Sequence, residues 1–368
     1  MAMSNQLYRF LAFCLFSVFV IGSTGCAFLG SPQDENIETT VSPSQVDLFF
    51  ATNRAQQSDS AGYFGPERGT MSYGISHVSI PPGHLMGQQE SPSLLKFEWS
   101  PDERKHIKVR DVMRLSQEEF IQQLANAVAK FPDGKLMVYL HGFNVDFLAS
   151  CRDAAQFASD LKFSGPVVLF SWPSQNSFTD YTVDETNAEW AQSDFVQLLT
   201  DLLDSVTAKN IYVIGHSMGN RIIGRGMISL ESDRLPEDLI VFREIIMIAP
   251  DIDADVFRAD IAPRLAKTGI HTTVYASSND QALRASKMFH GYARAGDAGE
   301  GRLILDGVET IDTTDISTSF IGHSYFLEDR RVMEDIFSLL QTGLRADQRF
   351  GLEGVNNADG RRYWTFRK

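Results

Sequence analysis

A serine between two glycines is the pattern in this chain best suited to covalent chemistry. Residues 215–219 read Gly-His-Ser-Met-Gly, which places Ser217 in the order G-x-S-x-G. A serine on such a turn can attack a carbonyl carbon, because the glycines remove side chains that would crowd a sharp passage from strand to helix. The pattern is short enough to occur by chance, so the residues on either side must show whether it is a nucleophile turn.

The residues around Ser217 have the composition of a strand followed by a helix. Residues 210–214 are a short apolar, β-branched run, which predicts a strand buried on both faces. Residues 220–230 repeat apolar side chains at helical spacing. We therefore expect Ser217 at the carboxyl end of a sheet and at a helix amino terminus, which favours a developing negative charge. The alternative is a glycine-rich turn that only packs the helix against the strand.

A nucleophilic serine of this type needs a histidine base, which follows the serine and the acid along the chain. His323 is the candidate, because it lies in a loop between the last predicted strand (302–305, with a continuation to 310 as the alternative) and a terminal helix predicted for 328–344. His290 ends a short predicted helix that begins directly after Asp280, which leaves it little freedom to turn back towards Ser217. The alternative for His323 is a solvated surface histidine.

Two aspartates at predicted strand ends are candidates for the acid that orients the histidine. Asp280 follows an apolar run that begins at residue 270, and Asp251 follows the apolar residues 245–249. We favour Asp280, because the strand after the one ending at Asp251 usually supplies the acid in this architecture. Asp251 is the reserve acid. Either carboxylate could instead, or in addition, cap the helix that follows it.

Two backbone amides are candidates for holding the oxyanion of a tetrahedral intermediate. The residue after the nucleophile usually gives one donor, here the N–H of Met218. The second is expected from the loop after the first strand, here the N–H of Phe143, with Gly142 permitting a close approach. His141 and Asn144 are expected to brace that loop.

The chain resembles a bacterial family of α/β-hydrolase-fold proteins of largely unassigned function, described as esterase- or lipase-like. The resemblance rests on seven stretches: residues 48–54 (LFFATNR), 78–82 (VSIPP), 139–144 (YLHGFN), 169–174 (LFSWPS), 214–221 (IGHSMGNR), 249–253 (APDID) and 275–280 (YASSND). It covers most of the chain from about residue 46 to 323 and implies Ser217, Asp280 and His323 as a triad. The His-Gly-Gly-Gly loop of one lipase subgroup is missing, which places that subgroup in doubt.

Length and charge limit the organisation of the chain. Its 368 residues are enough for one α/β-hydrolase domain, predicted for residues 46–345, with a mostly parallel central sheet and helices on both faces. Residues 346–368 are predicted to be a basic, aromatic C-terminal tail that docks on the domain or touches anionic lipid. The net charge of −14 argues against nucleic-acid partners.

The amino terminus resembles a lipoprotein export signal. Residues 1–25 combine a short, weakly basic start with an apolar run and small residues before Cys26. We expect removal of 1–25, lipidation of Cys26, and a flexible polar tether over 26–45, which would anchor the protein to a membrane of the bacterial cell envelope. Simple secretion to the periplasm or a retained anchor are the alternatives.

The composition predicts no cofactor and no metal, since no histidine or cysteine has the spacing of metal ligands. Cys151 lies in a predicted helix (147–161) and is expected to pack in the core. The residues together predict a serine hydrolase that acts on a small-molecule ester or acyl substrate, most simply a carboxylic ester; amide, thioester and acyl-transfer chemistry use the same residues and are the alternatives. Trp172 and Trp190 flank a segment that could wall an acyl pocket or could be packing anchors. The alternative function is a non-catalytic envelope lipoprotein of the same fold that binds a partner or ligand.

Overall fold

The computed structural model describes residues 42–57, 63–92, 100–299, 301–316 and 329–367. The predicted signal (1–25), Cys26, most of the tether and His323 lie outside these residues. Within the described residues, none of the helices combines the length and the apolar composition that a bilayer crossing requires.

The described strands form one sheet. In chain order they are β1 Ser44–Gln56, β2 Phe64–Ile80, β3 Lys108–Leu115, β4 Lys135–Leu140, β5 Val167–Ser171, β6 Asn210–His216, β7 Phe242–Ile248, β8 His271–Ala276, β9 Val308–Asp312, β10 Leu352–Asn356 and β11 Arg362–Phe366. Across the sheet their order is β10-β11-β9-β8-β7-β6-β4-β5-β1-β2-β3. The pairs β1–β2, β2–β3 and β10–β11 are antiparallel, and all other neighbours are parallel.

Helices cover both faces of this sheet, as the sequence predicts for the fold. Along β6, Ile211 and Val213 pack into the core on one face, and Tyr212 and Ile214 pack into the core on the other, because side chains alternate along a strand. The helices are α1 Gln117–Val128, α2 Phe147–Asp160, α3 Tyr181–Trp190, α4 Gln192–Ser205, α5 Gly219–Asp233, α6 Pro236–Leu239, α7 Ala254–Val256, α8 Ala262–Thr268, α9 Gln281–His290 and α10 Arg330–Thr342. The α/β-hydrolase fold class is therefore confirmed.

The last central strand lies further along the chain than the sequence suggested. Residues 302–305 are not a strand, and β9 begins only at Val308. Gly307 has φ +79°, so the chain turns there, and the Val308 N–H donates to Leu305 O at 3.2 Å. The apolar run at 303–305 leads into this turn, and the strand pairing with β8 starts after it.

The residues assigned by sequence to a C-terminal tail extend the sheet. Strands β10 and β11 form a hairpin, and β11 pairs with β9. Arg349, just before the hairpin, is buried with its guanidinium 3.3 Å from carboxylate oxygens of Glu309 and of Asp335. Val41–Lys368 is one compact unit, and this unit includes the hairpin.

Candidate active site

Ser217 lies on a sharp turn between β6 and α5. Its φ is +51°, in the left-handed region that non-glycine residues rarely adopt, and its N–H donates to Ile248 O at 2.9 Å. A Cβ at Gly215 would lie 2.5 Å from Asn220 Oδ1, and one at Gly219 would lie 2.5 Å from His141 O. At Gly219 the clash is with backbone, so only glycine fits there, whereas at Gly215 the ends of two buried side chains would have to move. The turn has the geometry expected of a nucleophile elbow.

The residues predicted to supply oxyanion donors lie beside this turn. Residues 141–145, which we call the candidate oxyanion loop, follow β4. A Cβ at Gly142 would lie 3.1 Å from the Ser217 Cβ, so the loop and the elbow are in direct contact. Met218 is the N-cap of α5, where backbone N–H groups have no acceptor within the helix. The structure thus brings Phe143, next to Gly142, and Met218 to the same serine.

Buried polar side chains hold the far half of the candidate oxyanion loop. Asn144 has φ +61°, and its N–H donates to Asp184 Oδ2 at 3.4 Å. The Val145 N–H donates to Ser174 Oγ at 3.1 Å, and Ser174 Oγ donates in turn to Asp184 Oδ2 at 2.5 Å. Asp184 is completely buried, and burial raises the pKa of its carboxyl group. The sequence analysis missed Asp184, which begins to matter only once α3 is placed against the loop.

Arg54, near the end of β1, is the second residue that the sequence analysis did not assign to the site. The residue is 1% exposed, and burial lowers the pKa of its guanidinium to about 10. Each nitrogen of its guanidinium has a hydrogen-bond partner. Nε donates to Ser171 Oγ at 3.0 Å, and Nη1 donates to Gly65 O at 3.4 Å and to Ser174 O at 3.2 Å. Nη2 donates to Val145 O at 2.7 Å and lies 3.2 Å from His141 Nε2. The sequence did contain an indication of this role, because Arg54 is the last residue of the 48–54 stretch on which the family resemblance rests.

His141 is a buried, neutral residue of the same loop. Its ring stacks on Trp172 with centroids 5.0 Å apart, and the Trp172 Nε1–H donates to His141 O at 2.9 Å. Burial and the neighbouring Arg54 cation hold the pKa of His141 well below its usual range. Trp172 is therefore a packing anchor of the loop, one of its two predicted roles.

Asp280, the favoured acid, lies in the turn after β8 and is fully buried. It is the N-cap of α9: its Oδ1 accepts the N–H groups of Ala282 and Leu283, each at 2.9 Å. The capping role considered as an alternative is thus present, and it uses one carboxylate oxygen. His323 lies outside the described residues.

Asp251, the reserve acid, lies after β7, and its N–H donates to Ser217 O at 3.2 Å. Both of its carboxylate oxygens are occupied. Oδ1 accepts from Ser286 Oγ at 2.7 Å and lies 3.3 Å from Arg294 Nε. Oδ2 accepts from the Tyr181 hydroxyl and lies 3.5 Å from Arg221 Nη2. Burial opposes the charge, but Arg221 and the Tyr181 hydrogen bond outweigh it and lower the pKa of Asp251.

His290, the weaker base candidate, ends α9 and is held there. Its Nδ1 lies 2.9 Å from Ser286 O, and its Nε2 lies 3.2 Å from Glu185 Oε1. The structure therefore places it beside a carboxylate of α3.

An aromatic row leads from the candidate oxyanion loop to the surface. Phe143 meets the ring of Tyr181 edge-on at 5.3 Å, and Tyr181 stacks with Phe289 at 6.2 Å. Phe289 is 77% exposed and its neighbour Met288 is 86% exposed. The row gives this edge of the site an apolar rim.

Two further predictions concern cysteine and metals. The Cys151 thiol is buried in α2, and burial raises its pKa to about 12, which suits a packing residue rather than a nucleophile. The described part of the chain contains no group of three or more His, Cys, Asp or Glu side chains placed to hold a metal ion.

Several solved structures resemble the chain at low sequence identity. They include a "predicted CIB-like hydrolase" from Thermoplasma acidophilum (13% identity, 64% of this chain and 91% of that chain, TM-score 0.32). A second is an esterase of Pyrobaculum calidifontis, with 13% identity over 57% of this chain and 76% of that chain and a TM-score of 0.30. A third is a lipase-esterase related protein of Clostridium acetobutylicum, with 10% identity over 57% of this chain and 94% of that chain and a TM-score of 0.34. No curated protein matches the chain.

The family comparison gives a firmer result than these distant similarities. The model described as "Alpha/beta hydrolase of unknown function (DUF900)" matches residues 116–341, which is more than half of the chain and contains Ser217, the candidate oxyanion loop and both candidate acids. The family assignment agrees with the sheet order and with the helices on both faces. The chain therefore belongs to this α/β-hydrolase family.

Proposed function

We propose that the protein is a serine hydrolase, and specifically a carboxylic ester hydrolase that forms an acyl-enzyme on Ser217. One observation carries the proposal: Ser217 holds φ +51° on a turn where the backbone of His141 leaves room for nothing larger than glycine at Gly219. Backbone strain of this kind costs of order 1–3 kcal/mol and is concentrated at functional sites. A turn that served only to pack a helix against a strand would not need a strained serine.

The proposed reaction follows the order of a serine esterase. Ser217 Oγ attacks the ester carbonyl carbon while His323 takes its proton, and the Met218 and Phe143 N–H groups stabilise the oxyanion. The intermediate collapses, the C–O bond breaks, and the alcohol leaves with the proton from His323. Water then attacks the acyl-enzyme by the same steps. Asp280 keeps the imidazole oriented.

The substrate side of the proposal is an ester with an apolar acyl group. The aromatic row from Phe143 through Tyr181 to Phe289 supports this choice, because it offers apolar surface from the candidate oxyanion loop outward. Comparing p-nitrophenyl acetate with the octanoate ester tests it. We expect Phe289→Ser to lower kcat/KM for octanoate more than for acetate; equal losses for both esters would remove the row from substrate binding.

We also propose that the enzyme is tethered to a membrane of the bacterial cell envelope through a lipid on Cys26. The support is the sequence pattern of residues 1–26. Mass spectrometry of the mature amino terminus, with Cys26→Ala beside it, tests the tether. A mature chain that begins at an unmodified residue would contradict it.

The decisive experiment is reaction of the full-length, detergent-purified protein with a fluorophosphonate, read by intact mass. We expect one adduct per chain, lost in Ser217→Ala and retained in the control Ser72→Ala, which changes a surface serine hydrogen-bonded to Thr70 O. A folded wild-type protein that stays unlabelled and cleaves no activated ester would favour a non-catalytic binding protein.

A further inference from the structure

The buried guanidinium of Arg54 is not part of the proposed triad, and the charges of Asp146 and Asp184 act on it only from beyond ion-pair distance. Among the described residues, no carboxylate lies within ion-pair distance of it, and every hydrogen-bond partner is a neutral carbonyl, hydroxyl or imidazole. Burying a charge without a paired charge is costly. A cation kept under these conditions next to the candidate oxyanion loop points to a role in that loop.

The contacts of Arg54 favour one neutral tautomer of His141. A guanidinium can only donate, so its contact of 3.2 Å from Nη2 to His141 Nε2 is a hydrogen bond only where Nε2 accepts, and Ser171 Oγ, 3.4 Å from Nε2, can donate to it as well. The neutral ring then carries its hydrogen on Nδ1, which lies 2.8 Å from Gly142 O and donates to it. The opposite tautomer could donate from Nε2 to Trp172 O at 3.2 Å. In that tautomer, however, the lone pair of Nδ1 would point at the lone pairs of Gly142 O, and an Arg54 N–H would point at the hydrogen on Nε2.

The Gly142 carbonyl belongs to the same peptide unit as the Phe143 N–H. In a planar trans peptide the C=O and the N–H point in opposite directions, so fixing one fixes the other. His141 therefore holds the direction of the candidate oxyanion donor through Gly142 O. Arg54 Nη2 also donates to Val145 O at 2.7 Å, which ties the far end of the loop to the same guanidinium.

We propose that Arg54 and His141 are positioning residues that lock the Gly142–Phe143 peptide in the orientation that presents the Phe143 N–H to the oxyanion. The inference rests on the proposed function for its catalytic consequence. Its structural half, the dependence of the His141 tautomer on Arg54, stands independently of any activity.

The tautomer is measured on the full-length protein selectively labelled with ¹⁵N-histidine. Long-range ¹H–¹⁵N spectra distinguish Nδ1–H from Nε2–H rings, and His141→Phe identifies the signal. We expect a neutral Nδ1–H ring in the wild type and a shift towards Nε2–H, donating to Trp172 O, in Arg54→Met. A wild-type ring with Nε2–H, or one protonated at neutral pH, would overturn the proposal.

The catalytic half is measured with p-nitrophenyl butyrate. Misdirecting one oxyanion donor should lower kcat by about 10²-fold, the order seen when such a donor is removed, with little change in KM. Because the two residues act in one relay, Arg54→Met combined with His141→Phe should lose no more than the worse single variant. Arg349→Met is the matched control: it removes another buried arginine, which contacts Glu309 and Asp335 and not the loop, and should leave kcat of the folded protein unchanged.

The possible failures are separable. If Arg54→Met does not fold, Arg54→Lys, which keeps a cationic donor, and His141→Phe carry the test: we expect Arg54→Lys to keep the Nδ1–H tautomer and His141→Phe to lose kcat. Unchanged kcat in folded His141→Phe, or additive losses in the double variant, would refute the relay. If wild-type Ser217 is never labelled, the proposed function fails, and the tautomer spectra still decide whether Arg54 orients His141.

Discussion

Gly142 and Ser217 are so close that a methyl group on the glycine would lie 3.1 Å from the serine Cβ, and 2.7 Å from His216 Nδ1. The candidate oxyanion loop and the nucleophile turn are therefore packed without room for a side chain between them. The relative position of nucleophile and oxyanion donor depends on this contact.

Gly142→Ala should consequently lower kcat by about 10²-fold, because the loop must shift by several tenths of an ångström and carries the Phe143 N–H with it. Ester hydrolysis and thermal melting of the full-length protein measure the effect. Gly83→Ala is the matched control, since a Cβ there meets no atom within 4 Å. A Gly142→Ala enzyme with wild-type kcat would show that the donor lies elsewhere.

Asp280→Asn should separate catalysis from helix capping. Asparagine caps helices about as well as aspartate, so the unfolding temperature should change little. As the orienting acid, however, Asp280 should be needed for kcat, and we expect a fall of about 10⁴-fold. An Asp280→Asn enzyme that retains most of its activity would reduce the residue to a cap.

Asp251→Asn should have the opposite effect: it should lower the stability of the protein and leave the reactivity of Ser217 in place. It leaves the buried Arg221 and Arg294 without their shared carboxylate, and breaking a buried ion pair costs about 3–5 kcal/mol. Urea unfolding should show this loss, while fluorophosphonate labelling of the remaining folded protein persists. Labelling abolished at unchanged stability would instead make Asp251 the orienting acid.

His271 should make stability depend on pH at the opposite edge of the sheet. Its ring lies between Glu244 and Glu309 at the starts of β7 and β9. Burial opposes the imidazolium, but hydrogen bonds to these two carboxylates outweigh it and raise the pKa of His271. The stabilisation is then complete below the unfolded pKa of about 6.5 and is lost as the pH rises through the higher folded pKa.

His271→Gln tests this dependence. The difference in unfolding free energy between wild type and variant should be largest near pH 6 and shrink towards pH 9, measured by urea titration at each pH. A difference that stays constant or grows with pH would contradict a protonated His271.

The sequence was sufficient to predict the parts of the site that are local in the chain. Gly215, Ser217 and Gly219 lie within five residues, so the steric demand of their turn is visible in the sequence itself. The fold class was predicted from the strand and helix on either side of Ser217 and from the family resemblance. Asp280 was predicted at the end of its strand by the same reasoning, and its cap role by the residues that follow.

The parts that were missed depend on long-range contacts. Arg54 meets Val145 and Ser174 across 91 and 120 residues, and an arginine in a strand usually indicates a surface position. Strand β9 was placed too early because the apolar residues 303–305 resemble a strand until the turn at Gly307 is known. The tail was separated from the domain because nothing in its composition shows that β11 pairs with β9.

The outer strands of the sheet also determine which residues an expressed fragment must contain. A fragment cloned to the limits of the family match, residues 116–341, would omit all of β1, β2 and β3 on one side and the β10–β11 hairpin on the other. It would lack Arg54, and Glu309 and Asp335 would lose Arg349. Such a fragment would keep every proposed catalytic residue, yet we expect it to be insoluble or inactive. Negative results from fragments with these limits would therefore say nothing about the enzyme.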